Sequence, residues 1–222
     1  MKILVIIPCY NEEKNIQTLV EKIKKLDYDY LVINDASTDD SPKLLDKYRL
    51  NHLDLINNIG LAGVTQIGFK YAVDHGYGGA IVIDGDGQHP PAYIKTLLDK
   101  VAEGYDYVVG SRFVDKPKPF TMRMIGSRIL SFMIKIKTGR TVTDPTSGMR
   151  AMGGEVLKDF ADNMNFVAEP DALCHVLKRK FKYTEVQVDM EDRVAGESYF
   201  VNPLRSVKFM VNVIISILFF QW

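Results

Sequence analysis

The chain has 222 residues, 46% hydrophobic and 25% charged, with 28 basic and 28 acidic side chains. That length suits one α/β domain with a small appendage, and the composition excludes disorder and low complexity. Zero net charge leaves no overall field for nucleic acid, so any anion site has to be a local patch. Two distant cysteines, Cys9 and Cys174, and four scattered histidines offer neither a disulfide framework nor a zinc spacing. A reduced, cytoplasmic compartment fits them, and no signal-peptide pattern precedes the first apolar run.

Ile3 to Ile7 is continuously apolar and ended by Pro8, which predicts a strand buried on both faces. Ile16, Leu19, Val20, Ile23 and Leu26 recur at helical spacing, with Asn11 as the N-cap. Tyr30 to Ile33 predicts a second strand. Ser41-Pro42 reads as an N-cap and the first residue of a short helix. Leu53 to Ile56 predicts a third strand, and Val64, Ile67, Phe69 and Ala72 a helix after it. Gly79 to Ile83 is a fourth strand, broken by Gly85 and Gly87, and Ile94, Leu97, Leu98 and Val101 mark the next helix. Tyr107 to Val109 is a fifth strand. The second half is less regular: a long helix over Thr121 to Lys137, another over Asp171 to Lys180, and a strand at Tyr183 to Val188. The alternation predicts a doubly wound, mostly parallel sheet, with ligands bound beyond the carboxyl ends of its strands. Residues 1–200 form the expected α/β domain and 201–222 an apolar tail.

The residues just beyond each strand are therefore the ones placed to bind. After the fourth come Asp84-Gly85-Asp86-Gly87-Gln88-His89. Two carboxylates and an amide oxygen on a glycine-rich turn are hard donors, suited to Mg²⁺ or Mn²⁺ shared with a diphosphate. A bare D-x-D is also common as a solvated turn; its place at a buried strand end favours the metal. After the first strand, Tyr10 can stack on a base or ribose and Glu12 can accept from ribose hydroxyls. After the second, Asp35 can accept from a base N–H, whereas Asn11 and Ser37 read as turn residues. No G-x-G-x-x-G follows the first strand and no G-x-x-x-x-G-K-[ST] occurs, which disfavours dinucleotide oxidoreductases and P-loop enzymes.

The ordered segments VIIPCYNEEKNI, INDASTDDS, NIGLAGVTQIGFKYA, DGDGQHPP, VVGSR, DPTSGMRAM and RVAGES resemble family-two inverting glycosyltransferases of the GT-A fold. The closer resemblance is to the branch typified by dolichyl-phosphate mannose synthase, whose bacterial members load sugars onto undecaprenyl phosphate. It covers about residues 3–200. The resemblance implies that Pro8, Tyr10, Glu12 and Asp35 hold the nucleoside, and that Asp84, Asp86 and Gln88 hold the metal and diphosphate, with Asp86 catalytic. It places Arg193 on a loop closing over the diphosphate. It assigns the acceptor phosphate to Arg112, after the fifth strand, and to Arg123 and Ser127, four residues apart on one helix face. Asn34 stands where many relatives have Asp, and Met149 where Phe is usual. The Q-x-x-R-W motif of processive synthases is absent, the only Trp being Trp222.

From Lys116 to Thr143 there are seven basic residues and no acidic one, interleaved with large apolar side chains. Such a basic amphipathic helix suits an anionic lipid surface. The 14-residue tail Phe209 to Trp222 is nearly all apolar. As a helix it would reach ~21 Å, short of a hydrocarbon core of about 30 Å. It reads as an in-plane anchor, a segment completed by a small membrane protein or by self-association, or the start of a longer helix.

These observations together predict transfer of a hexose or N-acetylhexosamine to a polyprenyl phosphate at the cytoplasmic face of the membrane. A UDP-sugar is the favoured donor, with GDP-mannose as the other choice. A rival enzyme would glycosylate a saccharide hydroxyl and need a general base, for which Asp144 and Asp171 are candidates. A rival of another class is a non-catalytic nucleotide-sugar-binding membrane scaffold.

Overall fold

The computed structural model describes residues 1–163, 168–191 and 203–220. Seven strands, β1 (Ile3–Cys9), β2 (Asp29–Asn34), β3 (His52–Asp54), β4 (Gly79–Val82), β5 (Tyr107–Ser111), β6 (Arg150–Gly153) and β7 (Tyr183–Gln187), form one sheet in the order β3-β2-β1-β4-β6-β5-β7. All pairs are parallel except those of β6, which runs antiparallel to both β4 and β5.

Alternate residues of the apolar strands enter two cores, as period-two geometry requires. Leu4, Ile6, Leu31, Ile33 and Val82 face one side. There they meet α3 (Gly60–Asp74), α5 (Met122–Thr138), α6 (Gly154–Asn163), α7 (Glu169–Lys178) and α8 (Pro203–Ile215). Val5, Ile7, Val32, Ile81 and Val108 face α1 (Ile16–Lys24), α2 (Ser41–Lys47) and α4 (Ile94–Ala102) on the other. The continuously apolar strands thus reflect a sheet covered on both faces.

Several boundaries differ from the sequence expectation. Asn15, not Asn11, precedes α1; Asn11 sits at φ 57° and ties two loops together, its side-chain oxygen accepting from Thr38 N and its main-chain N donating to Ser37 Oγ. Leu26 lies beyond α1 and is exposed. Asp40 holds the cap position of α2, and Ser41, its first residue, accepts from Glu12 N. β3 begins one residue before the predicted strand and ends at Asp54.

Within the tail, residues 203–220 are helical and packed. Val213 and Ile217 are fully buried, Ser216 Oγ donates to Asp171 Oδ2 at 2.6 Å, and Lys137 Nζ donates to Leu218 O. α8 continues as a π-helical stretch, Ser216–Phe220, against α5 and α7. Among the described residues no helix is long and apolar enough to cross a membrane.

Candidate active site

The sheet order reverses beside β1: β2 and β3 extend one way, β4 the other. That switch point opens a crevice at the carboxyl ends of β1 and β4, where α/β sheets bind ligands. Gly85 N donates to Pro8 O at 3.2 Å, pulling the turn after β4 onto the end of β1. A Cβ on Gly85 would lie 2.7 Å from that carbonyl, so the approach requires glycine. Gly87, at φ 75°, completes the turn, and Gln88 N donates to Asp86 Oδ1. Asp84, Asp86 and Gln88 are all partly buried at this edge.

The predicted nucleoside residues divide. Tyr10 is 49% exposed, with its ring available for stacking. Glu12 is buried and accepts from Asn15 Nδ2. Asp35 is turned inward at 4% exposure, its two oxygens accepting from Ile59 N and Gly60 N at 2.8 and 2.9 Å. It therefore anchors the start of α3, a role that its place in the sequence does not suggest.

β6 brings residues that motif spacing leaves unassigned. Because it runs antiparallel, its beginning rather than its end reaches the site. Gly148 lies directly against Asp84: a Cβ there would overlap the carboxylate. Arg150 pairs in register with Val82, is almost wholly buried, and lies 3.4 Å from Glu169. Burial pushes the Glu169 carboxyl up, opposed by Arg150 and reinforced by Asp84. His89 is buried, and among the described residues neither ring nitrogen has a hydrogen-bond partner. Burial lowers its pKa to about 4, with Arg112 and Arg150 adding to the effect and Asp86 and Asp144 opposing it. The ring is neutral at pH 7.

Arg112 makes a fork with the fully buried Asp144, Nε to Oδ2 at 2.7 Å and Nη2 to Oδ1 at 2.8 Å. Ser127 is buried and accepts from Lys118 Nζ, while Arg123 is exposed on α5. The Arg112 guanidinium is partly buried, the Ser127 hydroxyl buried and the Arg123 guanidinium exposed. Arg193 lies outside the described residues. Asp171 is fully buried, accepting from Ala168 N, Ala172 N and Ser216 Oγ, so it caps α7 and holds the tail. Cys9 and Cys174 are buried thiols, pushed by burial to about 12 and about 11, which keeps them protonated at neutral pH.

Among the described residues no three His, Cys, Asp or Glu side chains form a metal cluster. Two carboxylates and an amide oxygen nonetheless fit a divalent cation whose remaining ligands come from phosphate.

The profile of Glycosyl transferase family 2 matches residues 4–160, spanning this crevice and both its walls. The chain belongs to that family. Family 2 relatives include the dolichol-phosphate mannosyltransferase of Pyrococcus furiosus, 31% identical over 212 residues, covering 89% of this chain and 59% of that protein. The UDP-N-acetylglucosamine–dolichyl-phosphate N-acetylglucosaminyltransferase of Methanococcus voltae is 31% identical, with 84% of each chain covered. Among solved structures, glucosyl-3-phosphoglycerate synthase from Mycobacterium tuberculosis, in complex with Mn²⁺, UDP and phosphoglyceric acid, has a TM-score of 0.72 at 18% identity. That match covers 99% of this chain and 78% of the other. The likeness gives this family 2 chain the GT-A fold.

Proposed function

We propose that this chain is an inverting glycosyltransferase that moves a hexose or N-acetylhexosamine from a nucleoside-diphosphate sugar to a polyprenyl phosphate, undecaprenyl phosphate being the expected lipid. The observation that carries this reading is the state of Asp144 and Asp171. Both are fully buried and hydrogen-bonded, so neither faces an incoming hydroxyl. A saccharide acceptor needs a base. A phosphate monoester, with a second pKa near about 6, is already mostly dianionic at pH 7 and needs none. Relatives named as transferases to dolichyl or undecaprenyl phosphate support the same choice.

Asp84, Asp86 and Gln88 would hold Mg²⁺ or Mn²⁺. Such an ion neutralises charge on a departing nucleoside diphosphate. Pro8, Tyr10, Glu12 and Asp35 line the nucleoside end, Tyr10 by stacking and Asp35 by fixing the loop before α3. A UDP-sugar is favoured, in keeping with the UDP held by the Mycobacterium tuberculosis fold neighbour. Arg112, Arg123 and Ser127 serve the acceptor phosphate, and Arg193 the leaving diphosphate. The protein works at the cytoplasmic membrane surface, with 201–222 contributing to attachment, alone or beside a small membrane protein or a second copy.

The test is incubation of the purified protein with labelled nucleotide sugars and undecaprenyl phosphate, and a lipid-linked sugar is the expected product. Asp86→Ala should abolish transfer and Mn²⁺-dependent donor binding while leaving the melting temperature nearly unchanged. Glycosylation of a saccharide hydroxyl instead would favour the rival enzyme, and donor binding without turnover the scaffold. Full activity of Asp86→Ala in EDTA would remove the metal from the reading.

A further inference from the structure

Beside the Arg112–Asp144 fork lies a second depression of about 390 Å³, within the range of small-molecule sites. Lys116, Lys118 and Arg128 supply its charge, Ser131, Thr141 and Thr143 its hydroxyls, and among the described residues no carboxylate lines it. Lys118 is about half-buried, and its Nζ donates to Ser127 Oγ at 2.9 Å and to Ser131 Oγ at 3.3 Å. Among the described residues it forms no ion pair. The carboxylates that attract it are committed elsewhere: Asp144 to Arg112, and Glu185 to the amides of Thr143 and Asp144. Burial, then Arg128 and Arg112, depress its pKa.

A half-desolvated ammonium that Asp144 attracts without bonding it, with two guanidiniums nearby and the Phe113 ring 5.5 Å away, is only partly compensated, and an anion relieves the remainder. The surroundings hold it in place. Arg128 donates to Lys118 O and Pro119 O and lies over the Phe120 ring at 4.7 Å, clamping the loop that carries Lys118. Ser127 and Ser131 are one turn apart on α5, so their hydroxyls present a paired seat.

We propose that this basin is a phosphate-binding subsite in which Lys118, seated on Ser127 and Ser131, receives the phosphate monoester of the lipid acceptor. This rests on the function proposed above and changes its residue assignment. Ser127 acts through Lys118, and Arg112 acts as part of a fork already closed. The ammonium and the hydroxyls match a dianion with three acceptor oxygens. The rim suits the rest of such a ligand: Ile129 and Phe132, flanking the basin residues Arg128 and Ser131 on α5, are 43% and 61% exposed. A prenyl chain leaving the basin along them would run into apolar surroundings.

The experiment is titration of the full chain with farnesyl phosphate in micelles, with farnesol, inorganic phosphate and phosphatidylglycerol vesicles as parallel ligands. Lys118→Met should weaken farnesyl phosphate binding by about tenfold or more, the loss expected for a charge-assisted bond. Ser131→Ala should weaken it by roughly threefold. Neither should alter UDP-sugar affinity, and the KM for undecaprenyl phosphate should rise in step. Should Lys118→Met fail to fold, Ser131→Ala and Lys118→Gln carry the same comparison. Wild-type affinity in all these variants would overturn the subsite alone. So would loss of vesicle binding with farnesyl phosphate binding intact, which would make it a headgroup contact. A wild-type protein that binds no prenyl phosphate and glycosylates a hydroxyl would instead overturn the function on which the subsite rests.

Discussion

At Gly148 the Asp84 carboxylate occupies the space that a methyl group would need. The glycine is demanded by packing, since its φ lies outside the left-handed region. Gly148→Ala should therefore leave the fold nearly as stable but rotate Asp84 away from the crevice. Calorimetric titration with UDP-sugar and Mn²⁺ should show affinity lowered by about tenfold or more, the equivalent of one lost charge-assisted contact. Unchanged affinity would remove Asp84 from the donor site. Spacing alone marks Asp84 and Asp86 as candidates because they are close neighbours on one turn. It cannot mark Gly148, Arg150 or Glu169, which reach the same place only through an antiparallel strand and a helix start more than 60 residues later in the chain. The same limit applies to Asp35. Its carboxylate is ligand-like in sequence, but its partners Ile59 and Gly60 become visible only when β2 and α3 are folded together.

α5 and α8 each carry apolar residues on two faces, and the two faces have different roles. Leu130, Ile134, Val213 and Ile217 are buried in the core. Met122, Ile125, Ile129, Phe132 and Ile136 on α5 form an exposed stripe at three- and four-residue spacing, and Val207, Val211, Ile215 and Phe219 form another on or just beyond α8. Exposed Arg123, Lys135 and Lys208 lie among them. Ile217→Ala should lower stability by about 2–4 kcal/mol in urea melts, as a large-to-small core change. The pair Val211→Ser and Phe219→Ser should leave stability within about 1 kcal/mol but reduce flotation with phosphatidylglycerol vesicles. The basic residues should leave a remnant of binding that salt removes. Undiminished flotation at high salt would exclude the α8 stripe as a lipid contact. In the sequence the apolar tail reads as one feature. Its division between core and surface depends on which turn of α8 meets α5 and α7, which composition does not encode.

For the whole molecule, the buried neutral His89 couples the fold to pH. Its ordinary pKa is near 6.5, and in the fold it is lowered to about 4. Between those values the unfolded chain binds a proton that the folded chain rejects, so stability is complete above about pH 6.5 and falls as pH drops towards about 4. In EDTA, urea melts at pH 7.5 and pH 5 should show wild type losing up to about 2 kcal/mol more than His89→Gln between the two conditions. Equal losses would mean that His89 is solvated in the folded protein. The order of residues was enough to specify the alternation of buried strands and amphipathic helices, hence a two-sided, mostly parallel sheet with its ligand edge after the strands. These are local signals, carried by residues two to four positions apart. The same local order puts Asp84 and Asp86 together at that edge. Long-range packing was needed for the reversed strand β6, the closing of Arg112 on Asp144, the burial of Asp171 under Ser216, and the seat of Lys118 on α5. Each of these joins segments that are distant in the chain or whose side-chain directions are fixed by packing. Their net energies depend on pairing charges and hydroxyls well enough to offset the cost of removing them from water, which a linear order of residues does not specify.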